Sequence, residues 1–283
     1  MRWPPFENIF FDCDSTLTTV EGIDVLADSL GKGWRISVLT EAAMSGAVDL
    51  EDVYAKRLQA LRPTRGQIHA LRDVYKQNMV PDAAQIVATL QELGHKVYII
   101  SGGLREPVLE YGRHLGVPDE HIHAVPIRYD SLAGQWWRNT GEALNPAERY
   151  LSFGEEALTV SAGKADIVQQ VLQGQPGRSM LVGDGTSDLL AGEAVDLFVG
   201  YGGVSRRSRV QAQAPAFIHS ASLAPLLAIA IGPAVLVRLI ESRHAQLSLK
   251  AKKLMESGAI TFRDEPLKER FVRAYQAVHT WTN

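Results

Sequence analysis

Apolar positions in this chain follow two rhythms, and the alternation between them organises the sequence. Short uninterrupted apolar runs read as buried strands: "NIFFD" at 8–12, "KVYII" at 96–100, "SMLV" at 179–182 and "DLFVG" at 196–200. Between them, apolar residues recur with the helical period at 83–93, 106–115, 164–172 and 187–194. Strands alternating with helices predict a parallel sheet with helices on both faces, an α/β Rossmann-like core. Glycine-rich or acidic punctuation follows three of the runs: Asp12-Cys13-Asp14, Ser101-Gly102-Gly103 and Gly183-Asp184-Gly185. Such sheets bind ligands at the carboxyl ends of their strands.

One stretch departs from this rhythm. Residues 20–77 carry only helical patterns, at 23–30, 34–44, 50–61 and 65–75, and no strand. They read as a small helical insert after the first strand, which divides the chain into a core (1–19 and 78–232), the insert (20–77) and a helical, charged C-terminal extension (233–283). "AVPIRYDSLAGQWW" at 124–137 predicts a β-hairpin turning near Asp130 and Ser131. The extension scatters Leu239, Ile240, Leu247, Leu254, Phe262, Leu267, Phe271 and Tyr275 among charges, a pattern that suits packing on the core or on a second subunit of a homodimer.

The run "LAPLLAIAIGPAVLV" at 223–237 is uncharged, but shorter than the roughly 20 residues a spanning helix needs. Pro225, Gly232 and Pro233 interrupt it, so it predicts a buried helix that breaks near Pro233 and no membrane association. The N-terminus shows no signal-peptide pattern.

Composition narrows the function classes. The 283 residues are 46% hydrophobic and 22% charged, as in a globular protein, and the net charge of -3 gives no electrostatic case for nucleic acid. The single cysteine, Cys13, excludes an intramolecular disulfide and a cysteine-rich metal site, in keeping with a cytoplasmic location. Lying between two acids, its thiolate is disfavoured, and it reads as packing. Trp136 and Trp137 read as hairpin packing, and His121 and His123 as surface or turn residues, away from the strand-end motifs.

Those motifs carry the candidate chemistry. Asp12 and Asp14 stand two apart. They share a face about 6.6 Å apart if the strand continues, and splay around a cation if it turns. A lone pair of this kind also serves as caps or turn formers. Ser101 with two glycines offers a hydroxyl and accessible N–H groups to a tetrahedral anion. Asp184 and Asp188 bring further carboxylates, an oxygen-rich set that suits Mg²⁺. Lys164 opens a helix and supplies a cation. Together these are the parts of phosphoryl transfer, with an aspartate as one recognised nucleophile.

The order D-x-D-S-T, S-G-G, K, G-D-G-x-x-D resembles the haloacid dehalogenase superfamily. "FDCDSTLTTVEGIDVLA", "EAAMSGAV", "KRLQALRPTRGQI" and "VGYGGVSRRSRV" are similar to its phosphoserine phosphatase branch, over roughly residues 8–227. The resemblance implies a helical cap over the core and Mg²⁺-dependent hydrolysis of O-phosphoserine through an aspartyl-phosphate, the last step of serine biosynthesis. Asp12 would then be the nucleophile, and Asp14 the acid and later the base. Asp12, the Asp14 carbonyl, Asp184 and Asp188 would hold Mg²⁺. Ser101, Gly102, Lys164 and Ser187 would hold phosphate. Glu21 would take the substrate ammonium, Arg57 its carboxylate and Met44 its stem, while Arg207 would steady the cap. Ser187 stands where many relatives carry asparagine, and Leu50 where an aromatic is common. The alternatives are another small phosphomonoester, phosphate transfer to an alcohol such as homoserine, or a non-catalytic binding protein.

Overall fold

A computed structural model describes residues 3–130, 145–154 and 157–279 of the chain. Its centre is a seven-stranded sheet in the order β3-β2-β1-β6-β7-β8-β9. β1 (Asn8–Phe11) lies between β2 (Lys96–Leu104) and β6 (Ser179–Gly183), parallel to both. β3 (Ile122–Val125) flanks β2, and β7 (Leu197–Tyr201) and β8 (Ala216–Ile218) follow β6, all parallel.

Residue alternation explains why these runs are strands. Ile9 and Phe11 enter one apolar cluster with Val97, Ile99, Met180, Val182 and Val199. Phe10 points the other way, joining Tyr98, Ile100, Leu181 and Phe198. A strand presents successive side chains to opposite faces, so a continuous apolar run is stable only where both faces are covered. α5 (Ala83–Glu92) and α6 (Arg105–His114) cover the first face, and α7 (Gly163–Leu172) the second.

Between β1 and β2 run α1 (Gly22–Ser29), α2 (Gly33–Ser45), α3 (Leu50–Leu61) and α4 (Arg65–Gln77), the four helices that the periodicity predicts. A capping box opens α4: Thr64 Oγ1 accepts from the Gln67 N–H, and Gln67 Oε1 accepts from the Thr64 N–H. The two connections to this segment are tied together. Thr19 N–H donates to the Asn78 carbonyl (2.7 Å), and Val80 N–H to that of Leu17 (2.9 Å).

The predicted hairpin takes a different form. Pro126 divides the run: the residues before it form β3 in the main sheet, and those after it form β4 (Ile127–Asp130). β4 pairs antiparallel with β5 (Arg149–Phe153), a strand beyond the predicted turn. Ser131 of that turn, Trp136 and Trp137 lie outside the described residues. His121 ends a short 3-10 turn (Asp119–His121) before β3 and His123 lies in β3; both are half-buried, and His121 Nδ1 lies 3.1 Å from the Val97 carbonyl.

The apolar run at 223–237 forms two helices broken at Gly232, near the expected Pro233: α10 (Leu226–Ile231) is wholly buried, whereas α11 (Pro233–Leu239) buries Pro233 and Leu236 and leaves Val235 exposed. No helix among the described residues is long and apolar enough to cross a membrane. Beyond it, α12 (Ala245–Glu256) and α13 (Glu265–His279) enclose a strand the sequence does not reveal. β9 (Ile260–Phe262) pairs antiparallel with β8 and ends the sheet. Leu247 and Phe271 are buried in the core cluster, with Leu239, Leu254, Phe262 and Leu267 packed against it. Phe271 meets Trp3 edge-on at 5.1 Å. The extension is thus part of the core, and not wholly helical.

Candidate active site

The site lies at the carboxyl ends of β1, β2 and β6. β1 ends at Phe11, and the chain turns at once: the N–H groups of Thr16, Leu17 and Thr18 all donate to the Cys13 carbonyl. Ser15 takes a left-handed conformation in this turn (φ 55°), and its hydroxyl donates to Glu21 Oε1 at 2.7 Å. The turn therefore settles the geometry of the aspartate pair, which splays instead of continuing along a strand. Cys13 is fully buried in the core. Burial first, then Asp14 and Asp12, pushes its thiol pKa well up, so it stays a packing group.

β6 delivers Asp184 on the turn into α8 (Thr186–Ala191). Asp188, in the first turn of α8, folds back so that its Oδ2 accepts the Gly185 N–H at 3.0 Å. A Cβ at Gly183 would lie 2.3 Å from the Asp188 Cγ, so a glycine is required for this approach. Asp12, Asp184 and Asp188 are all buried and present carboxylate oxygens within 4.8 Å of one another. Three convergent buried carboxylates fit a hard divalent cation.

Two buried cations hold this cluster together. Lys164 Nζ lies 2.5 Å from Asp12 Oδ1 and 2.6 Å from Asp188 Oδ1. Burial alone would lower the lysine pKa, but the two aspartates outweigh it and raise it. Arg207, in the segment between β7 and α9 (Ser208–Gln213), places Nε 2.9 Å from Asp184 Oδ2, Nη1 2.8 Å from Glu41 and Nη2 3.6 Å from Glu21. It thereby ties the helical insert to the strand ends. Arg206 is exposed and takes no part in the cluster. Burial, with Asp188 adding, pushes Asp12 up to about 7, and burial together with Glu21 pushes Asp14 and Asp184 well up. These are the directions for the protein alone; a bound divalent cation would favour the charged carboxylates and oppose them.

Above the acids is a chamber of about 760 Å³, counting the space that opens to solvent. Its walls include Asp12, Asp14, Glu21, Met44, Arg57, Ser101, Gly102, Lys164 and Ser187. The structure thus brings these sequence-predicted residues to one cavity, with Asp184 and Asp188 behind the wall. The side chain of Leu50 lies outside the described residues.

Arg57 is buried, donates from Nη1 to Thr40 Oγ1 at 3.1 Å and stands over the Tyr54 ring at 5.6 Å. Its Nε has no hydrogen-bond partner. Thr40 donates on to Asp24 at 2.7 Å, which fixes its lone pair toward Arg57. Glu21 is raised above the usual carboxylate range by burial, despite Ser15 and Arg207.

Sequence reasoning missed Tyr54, Tyr75 and Thr40. Tyr54 also lines the chamber and donates to the Gly102 carbonyl at 2.9 Å, joining α3 to β2. It stands three residues before Arg57, one turn away on the same helical face, a signal that was present in the pattern. Tyr75 lines the chamber too, and is buried. The Met44 carbonyl accepts from Thr186 Oγ1 at 3.0 Å, a further tie between insert and core.

A mostly parallel sheet that gathers a buried carboxylate trio and a buried lysine at its strand ends is the class of site that serves metal-assisted phosphoryl transfer. The comparisons with known proteins agree. The haloacid dehalogenase-like hydrolase family model matches residues 9–193, and the chain belongs to that family. It is 34% identical to the chloroplastic phosphoserine phosphatase of Arabidopsis thaliana, over 75% of this chain and 68% of that one. It is 30% identical to the human phosphoserine phosphatase, over 74% of this chain and 88% of that one. A solved structure of a phosphoserine phosphatase phospho-aspartyl intermediate analogue matches with a TM-score of 0.65 at 20% identity. It covers 79% of this chain and 98% of that one.

Proposed function

We propose that the chain hydrolyses O-phosphoserine to serine and inorganic phosphate through a phosphoaspartyl intermediate on Asp12. One observation carries the reading. The same chamber holds an aspartate clamped by a lysine at its floor and, on its helical side, a carboxylate (Glu21) and a guanidinium (Arg57). The floor suits a phosphate; the Glu21 and Arg57 pair suits the ammonium and carboxylate of an amino acid. The relatives named above support it, being phosphoserine phosphatases.

This reading assigns each residue of the chamber a role. An Asp12 oxygen attacks phosphorus, and the bond to the serine oxygen breaks. Asp14 supplies the proton that the departing oxygen needs, then removes one from the water that attacks the phosphoaspartate. The products are serine and phosphate, with Asp12 regenerated. Ser101, Gly102 and Ser187 donate to the phosphate, and Lys164 balances its charge. Asp12, Asp184, Asp188 and the Asp14 carbonyl would hold Mg²⁺, which supplies charge neutralisation at the phosphoryl oxygens when bound. The helices α1–α4 act as a cap that excludes water from the floor while Asp12 reacts.

The test is phosphate release from a panel of esters, with and without Mg²⁺, for wild type and Asp12→Asn. The reading expects phosphoserine to be preferred, EDTA to abolish turnover and the variant to be inactive. Preference for a sugar phosphate would end the serine assignment. An Asp12→Asn protein retaining more than about a tenth of the activity would end the nucleophile assignment, since the uncatalysed reaction is among the slowest known.

A further inference from the structure

Between Ile100 and Leu104 the register of β2 against β3 shifts, and β1 ends its pairing with β2 at Ile99. Ser101, Gly102 and Gly103 therefore leave the regular ladder where they line the chamber. The peptide between the two glycines is held from both ends instead. Its N–H, from Gly103, donates to Ser101 Oγ at 2.9 Å. Its carbonyl, from Gly102, accepts from the Tyr54 hydroxyl at 2.9 Å. Tyr54 is 5% exposed; its ring meets Phe153 edge-on at 5.1 Å and carries the Arg57 guanidinium above it. These contacts seat the ring, and α3 brings its hydroxyl from the helical insert onto the end of β2.

We propose that Tyr54 is a positioning residue for phosphate binding: its hydroxyl locks the Gly102–Gly103 peptide in the orientation that makes Ser101 a donor toward the chamber. The inference rests on the reading of Ser101 and Gly102 as phosphate-binding groups. A serine hydroxyl carries one proton and can also accept. With the Gly103 N–H donating to Oγ, that proton is left for an acceptor in the chamber. If the peptide turned over, its carbonyl would face Ser101 and take the proton, and the Oγ lone pairs would face the phosphate. Glycine makes such a turn easy, because Gly103 can take a φ of either sign. Tyr54 opposes it: a turned peptide would offer the phenol an N–H, and the buried phenol proton would lose its acceptor. Because α3 belongs to the cap, the grip on phosphate is complete only when the cap is seated.

Tyr54→Phe keeps the ring against Phe153 and beneath Arg57 and removes only the hydroxyl. Binding of inorganic phosphate to the Mg²⁺-loaded protein, read by calorimetry, should weaken about fivefold to tenfold, the effect of one hydrogen bond. kcat/KM for phosphoserine and for phosphoethanolamine should fall by the same factor, because both present the same phosphate. In a Ser101→Ala background, with no hydroxyl to orient, the substitution should change phosphate affinity by less than about twofold. Unchanged phosphate affinity in Tyr54→Phe, or fully additive losses in the double variant, overturns the proposal. So does a loss confined to phosphoserine, which would place the effect on Arg57. Phe153→Leu gives a control that does not depend on the stability of Tyr54→Phe. It disturbs the ring and spares the hydroxyl, so phosphate affinity should stay within about twofold of wild type. A loss there as large as that expected for Tyr54→Phe would mean that packing alone sets the site, and would overturn the proposal. The parent reading fails separately: if Ser101→Ala alone leaves phosphate affinity unchanged, Ser101 does not hold the phosphate, and the role of Tyr54 falls with it.

Discussion

Lys164 and Asp12 are separated by 152 residues in sequence, yet the lysine Nζ lies 2.5 Å from Asp12 Oδ1, with both side chains buried. A buried charge that loses its partner costs about 3–5 kcal/mol, because the survivor cannot return to water. Lys164→Met therefore should destabilise the metal-free fold by that order at pH 8 and abolish turnover. The deficit should shrink on acidification. Asp12 is raised to about 7 in the folded protein, so the native state binds more protons than the unfolded chain, and its stability rises as pH falls through that value. Denaturant melts of wild type and variant at pH 8 and pH 5.5 check this; a deficit that grows toward acid contradicts it.

Metal binding should release protons near neutrality. A carboxyl titrating at about 7 is partly protonated there, and ligation requires the carboxylate. Mg²⁺ affinity, measured by calorimetry in buffers of different ionisation enthalpy, should tighten from pH 6 to pH 8 with net proton release at pH 7. Ca²⁺ should restore little activity to EDTA-treated protein, since it favours longer bonds and more ligands. Proton uptake, or full activity with Ca²⁺, would contradict the assigned cluster.

Arg57→Ala should lower kcat/KM for phosphoserine by roughly 10- to 150-fold, since charge-assisted hydrogen bonds contribute about 1.5–3 kcal/mol. Phosphoethanolamine, which has the ammonium without the carboxylate, should be nearly unaffected. Glu21→Gln should weaken both esters. A matched loss of both in Arg57→Ala would show that the guanidinium does not read the carboxylate.

The C-terminal extension should matter to stability rather than to rate. Phe271 is 4% exposed and packs edge-on with Trp3. Phe271→Ala should cost about 3–5 kcal/mol in a thermal or denaturant melt, with kcat/KM on phosphoserine unchanged in the folded fraction. A proportional loss of turnover at a temperature where the variant is folded would mean that the extension reaches the site.

Much of this architecture was legible because burial imposes a period. α3 spans the predicted 50–61, and β1, β6 and β7 match the apolar runs to within a residue, while β2 runs on past the predicted 96–100 to Leu104, taking Ser101, Gly102 and Gly103 into the strand. The parts that escaped have no period to read. β8 and β9 are three residues each, too short for alternation to register. Pro126 separates two strands within a run that reads as one, since proline has no N–H to continue a ladder. In the site, the acids and Lys164 announce themselves by chemistry at strand ends. Tyr54, Tyr75 and Thr40 do not, because ordinary core residues share their composition, and only packing turns them toward the chamber.

β1 has no neighbour close to it in sequence. Asn8 is registered against Lys96 on one side and Ser179 on the other. The strand leading to Asp12 precedes both partner strands in the chain, and must wait for them. Long-range parallel pairing is slow, because the loops must close before contacts reward them. During synthesis or refolding, helical segments such as α1–α4 can form early, while β1 remains an exposed apolar ribbon open to wrong pairing. Recovery of catalysis should then trail recovery of helical signal, making turnover a late clock for the completion of folding.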